Sequence, residues 1–122
     1  MKSASIEIVD LDTVGESIVK HWHPKTVAAL NGQHVKLAKL LGEFVWHRHE
    51  EEDELFMPIS GTLRLDFRDK SLELRPGQFV VVPRGVEHRP VATEEVLLLL
   101  FEPAGTVNTG NLTDHPLTVD SS

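Results

Sequence analysis

The chain of 122 residues contains no cysteine. Disulfides, thiolate metal sites and cysteine nucleophiles are thereby excluded, so any metal must be held through nitrogen and oxygen. Basic charge is also scarce: 12 Lys and Arg stand against 19 Asp and Glu, a net charge of −7. With no basic stripe to track a phosphate backbone, nucleic acid is not expected as a partner. Long apolar runs are missing too. The longest extends from Val96 to Phe101, far short of the roughly 20 residues a helix needs to cross a bilayer. The N-terminus reaches Glu7 without an apolar core, so neither a signal peptide nor membrane association is expected, and a cytoplasmic location is. No Ser-His-Asp arrangement, phosphate loop, dinucleotide fingerprint or internal repeat appears.

The length fits one domain with a real core. From residue 24 onward short apolar runs alternate with turn signals, as in an all-β protein. Val27 to Leu30 and His34 to Ala38 flank Asn31-Gly32, a strong hairpin signal because both residues tolerate positive φ. Gly42 separates that hairpin from Phe44 to His49, and Leu55 to Ile59 follows, with Pro58 marking an edge or bulge. Leu63, Leu65 and Phe67 alternate with charged residues, and Leu72 to Leu74 lies beyond a polar turn. Phe79 to Val82 reads as a strand buried on both faces. His88 to Val91 and Val96 to Phe101 bring the count to eight or nine, favouring a sandwich or a closed barrel. Asp12 to Lys20 reads as a short helix capped by Asp12, or else as an extended segment. Residues 103 to 122, rich in Thr, Asn, Gly and Pro, read as an extended tail or lid.

Four residues stand out chemically. His47 and His49, two apart, share one face if the segment is a strand. Glu54 ends a run of five acids, and His88 follows the turn Pro83-Arg84-Gly85. Three imidazoles and a carboxylate suit a divalent first-row transition metal. Taken singly, each has a plainer reading: a lone histidine is commonly structural, and an acid run is commonly a solvated loop. His21, His23, His34 and His115 lack comparable spacing and are read as non-ligands.

In combination these residues resemble the motifs of the cupin superfamily, in particular its small single-domain members of the conserved cupin 2 barrel type. Gly42, His47-x-His49, Glu54 and Gly61 follow the first motif, G-x5-H-x-H-x3–4-E-x6-G. Gly77, Pro83, Gly85 and His88 follow the second, G-x5-P-x-G-x2-H-x3-N. Four residues, not five, separate Gly42 from His47, and Ala92 replaces the closing asparagine, which is not a ligand position. The resemblance spans residues 42 to 92. It implies a jelly-roll barrel (a double-stranded β-helix) with a core at about residues 24 to 102. It also implies His47, His49, Glu54 and His88 as ligands of one metal, among Mn, Fe, Co, Ni, Cu and Zn.

Such a site leaves positions open for substrate oxygens. The leading expectation is a metal-dependent dioxygenase or isomerase acting on a small oxygen-rich molecule. A non-catalytic metal-binding or sensing protein is the first alternative, and metal-free epimerisation of a sugar derivative the second. Arg84 and Arg89 flank the second motif and are candidates to clamp a substrate carboxylate, against a plainer reading as surface charge. Phe44 and Trp46 alternate with the histidines and are expected to face away from the metal. Small cupins are commonly dimers, so a homodimer is expected.

Overall fold

The computed structural model describes residues 6–119, so the two ends of the chain, including the last three residues of the predicted tail, lie outside the described residues. One helix, α1 (Leu11–Ser17), precedes seven strands. These are β1 (Lys25–Leu30), β2 (Gln33–Glu43), β3 (Glu54–Ser60), β4 (Leu63–Phe67), β5 (Ser71–Leu74), β6 (Val80–Val82) and β7 (His88–Pro103). All pairings between them are antiparallel. The helix starts two residues earlier than predicted, and its cap is Asp10, whose carboxylate accepts from the Thr13 amide, not Asp12.

The hairpin at Asn31-Gly32 forms as expected, with φ of 50° and 76° at the two turn residues. Beyond it the architecture depends on β7. This strand is 16 residues long and unbroken where the sequence suggested two strands. Its first residues pair with β4 (Phe67 opposite His88), its later ones with β3 (Leu55 opposite Phe101), and β2 runs along most of its length. The sheet order β1-β2-β7-β3-β6, with β4 and β5 joined through β7, wraps one chain into a jelly-roll barrel.

Alternation along β2 and β7 divides the core in two. Ala38, Leu40, Val96, Leu98 and Leu100 turn into the barrel with Phe56, Leu63 and Leu65. Leu37 and Leu97 turn outward and are covered by Ile18, Leu11 and Val14 at the helix. The strand buried on both faces is therefore the run from Val96 to Leu100. The prediction for Phe79 to Val82 is corrected: β6 has three residues, and Phe79 and Val81 are 61% and 49% exposed. Helix α1 covers the outer face of β7, whereas among the described residues no helix lies over β6. Pro58 sits beside a register shift in the β3–β7 pairing, the bulge expected of it.

Residues 44 to 49 are not part of a regular strand. They continue β2 as an extended segment tied to the chain around His88, through Phe44 N–H to Pro90 O (2.9 Å) and Gly85 N–H to His49 O (2.7 Å). The predicted tail does not extend into solvent either. Residues 104 to 119 fold back through successive turns, bury Thr106 and Thr109, and lie against this segment. The Arg48 amide donates to Asn111 Oδ1 (2.8 Å), and the Asn111 amide donates to Arg48 O (3.0 Å). Gly110 permits the contact, because a Cβ there would overlap the Arg48 carbonyl oxygen and lie 3.2 Å from His47 Cδ2.

Candidate metal centre

The three histidines meet because of a single backbone pairing. His47 N–H donates to His88 O (3.0 Å) and His88 N–H donates to His47 O (2.9 Å), an isolated antiparallel bridge. Residues paired in this way project side chains to the same face, and the two rings lie 4.4 Å apart. His49 follows on the same side, 5.1 Å from the His47 ring. Glu54 comes from β3, where it pairs with Val82 at the end of β6, just before the turn that leads to His88.

All four side chains are buried, and one ligand atom from each falls within 4.8 Å of the others. Glu54 Oε1 is 3.2 Å from His49 Nε2 and 3.7 Å from His88 Nε2. These contacts have ion-pair distances, but none of the three atoms makes a well-aligned hydrogen bond among the described residues. Leaving a buried polar atom unsatisfied costs about 1–3 kcal/mol, and three such atoms converging on one point is what a cation site looks like without its ion. The outer nitrogens reinforce this. His47 Nδ1 donates to Val45 O and His88 Nδ1 to Val86 O, both at 2.9 Å. A backbone carbonyl can only accept, so each proton sits on Nδ1 and each Nε2 lone pair faces inward, the tautomer a metal ligand requires. The residues present thus fit a divalent metal.

The charges of the protein alone are consistent with that donor set. Burial, helped by His88, pushes His47 down to about 4, so it stays neutral. Burial works against a charge on His49, but the adjacent Glu54 carboxylate outweighs it and raises the pKa. Burial also opposes the charge on Glu54, yet His49 and His88 hold its carboxyl well below the usual range. Of the acids from Glu50 to Glu54 only Glu54 turns inward. Glu50 pairs with Arg48, and Asp53 with Arg84, both at the surface.

A cavity of about 40 Å³ opens beside the cluster, bounded by His47 and Glu54 at one side. That is room for roughly three waters. Its other walls contain residues that motif spacing did not single out. Trp22 stacks on Phe44 (4.7 Å between rings), and Phe44 meets the His47 ring edge-on (5.4 Å). The expectation that Phe44 faces away from the metal is thus corrected, because the irregular segment breaks strict alternation between residues 44 and 47. Trp46 does face outward, under the Arg68 guanidinium at 3.8 Å. Trp22 itself has a φ of 61°, a conformation that costs a bulky residue about 1–3 kcal/mol. Its backbone amide to Lys39 O (2.8 Å) and its indole N–H to Leu41 O (2.9 Å) hold it there.

The far side of the cavity is charged. Lys36 Nζ lies 3.5 Å from Glu102 Oε2 and 3.3 Å from Thr106 O, all three residues being buried. Burial and the nearby Glu54 carboxylate push Glu102 up to about 9. A signal for this pair existed in the sequence. Lys36 precedes Ala38 and Leu40 on the inward face of β2, and Glu102 follows Leu98 and Leu100 on that of β7. Arg84 and Arg89 are not among the residues that line the cavity. Arg84 is held by Asp53 at the surface, and Arg89 by Asp66 (2.8 Å) and Glu43 (3.3 Å).

Comparison with known proteins agrees with this geometry. A cupin-2 domain protein from Shewanella frigidimarina is 40% identical, covers 79% of this chain and 94% of its own, and superposes with a TM-score of 0.77. Protein NMB1881 from Neisseria meningitidis is 33% identical over 80% of this chain and 99% of its own, with a TM-score of 0.74. The uncharacterized protein YdbB of Bacillus subtilis is 37% identical over 73 residues, which are 58% of this chain and 65% of that protein. The chain thus spans slightly less than two thirds of that curated relative. The cupin domain profile itself matches residues 33–102. The chain belongs to the cupin family.

Proposed function

We propose that the protein is a metal-dependent enzyme that binds one divalent transition metal through His47, His49, Glu54 and His88 and acts on a small oxygen-rich organic molecule. The observation that carries this reading is the convergence of unpartnered His49 Nε2, Glu54 Oε1 and His88 Nε2 in a buried site beside a cavity. A metal bound there supplies Lewis acidity toward a substrate oxygen. The chain's own residues do the rest. The Val45 and Val86 carbonyls fix two imidazole orientations. The Trp22–Phe44 wall and Leu98 and Leu100 give the cavity an apolar lining, and Lys36 and Glu102 place a cation and an acid within the same space. Two reaction types fit this arrangement, isomerisation through an enediol and attack by dioxygen on an electron-rich substrate.

The test begins with elemental analysis of the purified protein. Oxygen uptake is then followed against keto acids and catechols, and isomerisation is followed by NMR under nitrogen. Turnover that is lost in both His49→Ala and Glu54→Ala, with folding retained by circular dichroism, supports the proposal. Turnover that persists after the metal is stripped refutes it, and tight ligand binding without turnover moves the protein to a sensing role.

The same reading includes a homodimer. Ile6 and Ile8 are fully exposed ahead of the helix, and Val19 and Leu30 are exposed near the edge strand β1. Burying them against a second copy removes apolar surface from water. Sedimentation or gel filtration at micromolar concentration distinguishes dimer from monomer.

A further inference from the structure

Charge in the cavity does not balance once a metal is bound. Two carboxyl groups, Glu54 and Glu102, and one ammonium, Lys36, border it together with neutral His47 and Asn108. A divalent ion raises the positive side to three charges, against at most two negative ones. Whatever the protonation of Glu102, at least one positive charge is left over. Uncompensated charge in a low-dielectric space is expensive, and an anionic ligand removes the cost.

Lys36 is the group placed to receive it. Its ammonium has three donors, and among the described residues it has two contacts, to Glu102 at 3.5 Å and to Thr106 O at 3.3 Å. Both are longer than a good charge-assisted hydrogen bond. A lysine that is 5% exposed on the inward face of a strand and so loosely held is built to meet something else. Glu102 meets Lys36 on one side and Glu54 on the other, and Lys36, Glu54 and His47 line the same cavity, so one ligand can face both Lys36 and the metal centre. The wall between is flat and aromatic, with the Trp22 and Phe44 rings stacked at 19° and 4.7 Å. The enclosed part of the cavity is narrow, about 40 Å³, which favours a thin, flat ligand body there over a bulky one.

We propose that the cavity is a subsite for a compact, flat monocarboxylate, whose carboxylate is bound by Lys36 and whose body lies on the Trp22–Phe44 wall while a second oxygen reaches the metal. This rests on the metal-centre reading and narrows its substrate class. Lys36 acts as a specificity-determining residue. Arg84 and Arg89, which the sequence offered for carboxylate recognition, are engaged with Asp53 at the surface and with the buried Asp66 on the outer side of the wall.

The experiment measures binding by calorimetry on the metal-loaded full chain, with 2-furoate and pyruvate as probes, each with an oxygen beside its carboxylate, and their primary amides as uncharged controls. Each carboxylate is expected to bind at least about tenfold tighter than its amide. In Lys36→Met that preference should vanish through loss of carboxylate affinity alone, and Lys36→Arg should restore part of it. Metal content, read by elemental analysis, should not change in either variant. Equal binding of carboxylate and amide by the wild type, or no binding of either at millimolar concentration, overturns the proposal while leaving the metal centre intact. That arm needs no variant to fold. A wild type that takes up no metal fails the metal reading itself, and the charge argument falls with it.

Discussion

Two clusters of charged side chains lie on opposite sides of the same barrel wall, and they are finished to different degrees. On the outer face Asp66 accepts from Arg64 Nε (2.9 Å), from Arg89 (2.8 Å) and from the Ser71 hydroxyl (2.8 Å). Arg68 and Arg89 cover the Trp46 ring, and Glu87 closes on Arg68. On the inner face four buried atoms, His49 Nδ1, His49 Nε2, Glu54 Oε1 and His88 Nε2, have no hydrogen bond among the described residues, and Lys36 has only long contacts. His88 and Arg89 are neighbours in sequence, yet alternation on β7 sends one to each cluster. The satisfied cluster stabilises the wall, whereas the unsatisfied one forgoes stability, as a group of residues able to hold a metal does.

The largest effect should come from removing an inner ligand. Changing a residue that merely orients a metal ligand lowers affinity about 10–100-fold, so losing a ligand outright should cost about 100-fold or more. Glu54→Gln and His49→Ala are expected to lose bound metal by that factor in a chelator competition assay. Metal at 100 times its Kd stabilises the wild type by about 2.7 kcal/mol, and calorimetric melting should show this gain disappear in both variants. Variants that keep full affinity would mean that the inner cluster is, like the outer one, only structural.

Gly110→Ala comes next, because it presses on the inner cluster from the tail. The added Cβ would overlap the Arg48 carbonyl oxygen beside His47, and overpacking of this kind costs about 1–3 kcal/mol. Denaturant unfolding should show that loss, with a weaker metal affinity because the His47–His49 segment has to shift. Unchanged affinity would separate the tail from the site.

For the outer cluster Asp66→Asn is the corresponding test. Arg64 and then Arg89 and Ser71 hold the Asp66 carboxyl down to about 2, against burial. A depressed carboxyl stabilises the fold fully above its ordinary pKa, here 3.8, and loses that contribution as pH falls through 3.8 toward 2. The variant should therefore be less stable than wild type by about 1–2 kcal/mol at neutral pH. Chemical denaturation repeated down to pH 2 should show the gap close. Metal content should be unchanged at neutral pH, the opposite pattern to Glu54→Gln.

The convergence of His47, His49, Glu54 and His88 was legible in sequence because their spacing encodes a pairing: His47 and His88 are bridged, and the motif turns place both at that bridge. The Asn31-Gly32 hairpin and the alternation in β4 were legible for local reasons, a turn and a period, and the helix was placed although its cap is Asp10 and not Asp12. Two apolar runs of similar composition were not distinguishable. Val96 to Leu100 is buried on both faces because α1 covers its outer side, while Phe79 and Val81 have no such cover, and that depends on contacts remote in sequence. Phe44 went astray for a related reason. Strand alternation was assumed through a segment whose pairing is a single bridge, so its side chain turns to the cavity and not away. Lys36 and Glu102 each look like ordinary surface charge until β2 and β7 are set side by side in register.

The smallest effect belongs to Arg84, which the sequence offered as a substrate clamp. Its guanidinium meets Asp53 at 3.2 and 3.3 Å, both partners being about half exposed at 59% and 49%. Exposed pairs contribute about 0–1 kcal/mol because water and salt screen them. Arg84→Ala is therefore expected to shift stability by less than about 1 kcal/mol, with the difference shrinking as salt is raised. Asp53→Ala should do the same, and the double variant should differ little from either single one. Metal affinity should stay at the wild-type value in all three, since the pair is absent from the cavity lining. A tenfold loss of carboxylate-probe binding in Arg84→Ala would reverse this assignment. It would mean that the Asp53 pair opens to deliver Arg84 to the ligand, and the contrast between a finished exterior and an unfinished interior would then fail at the turn that leads to His88.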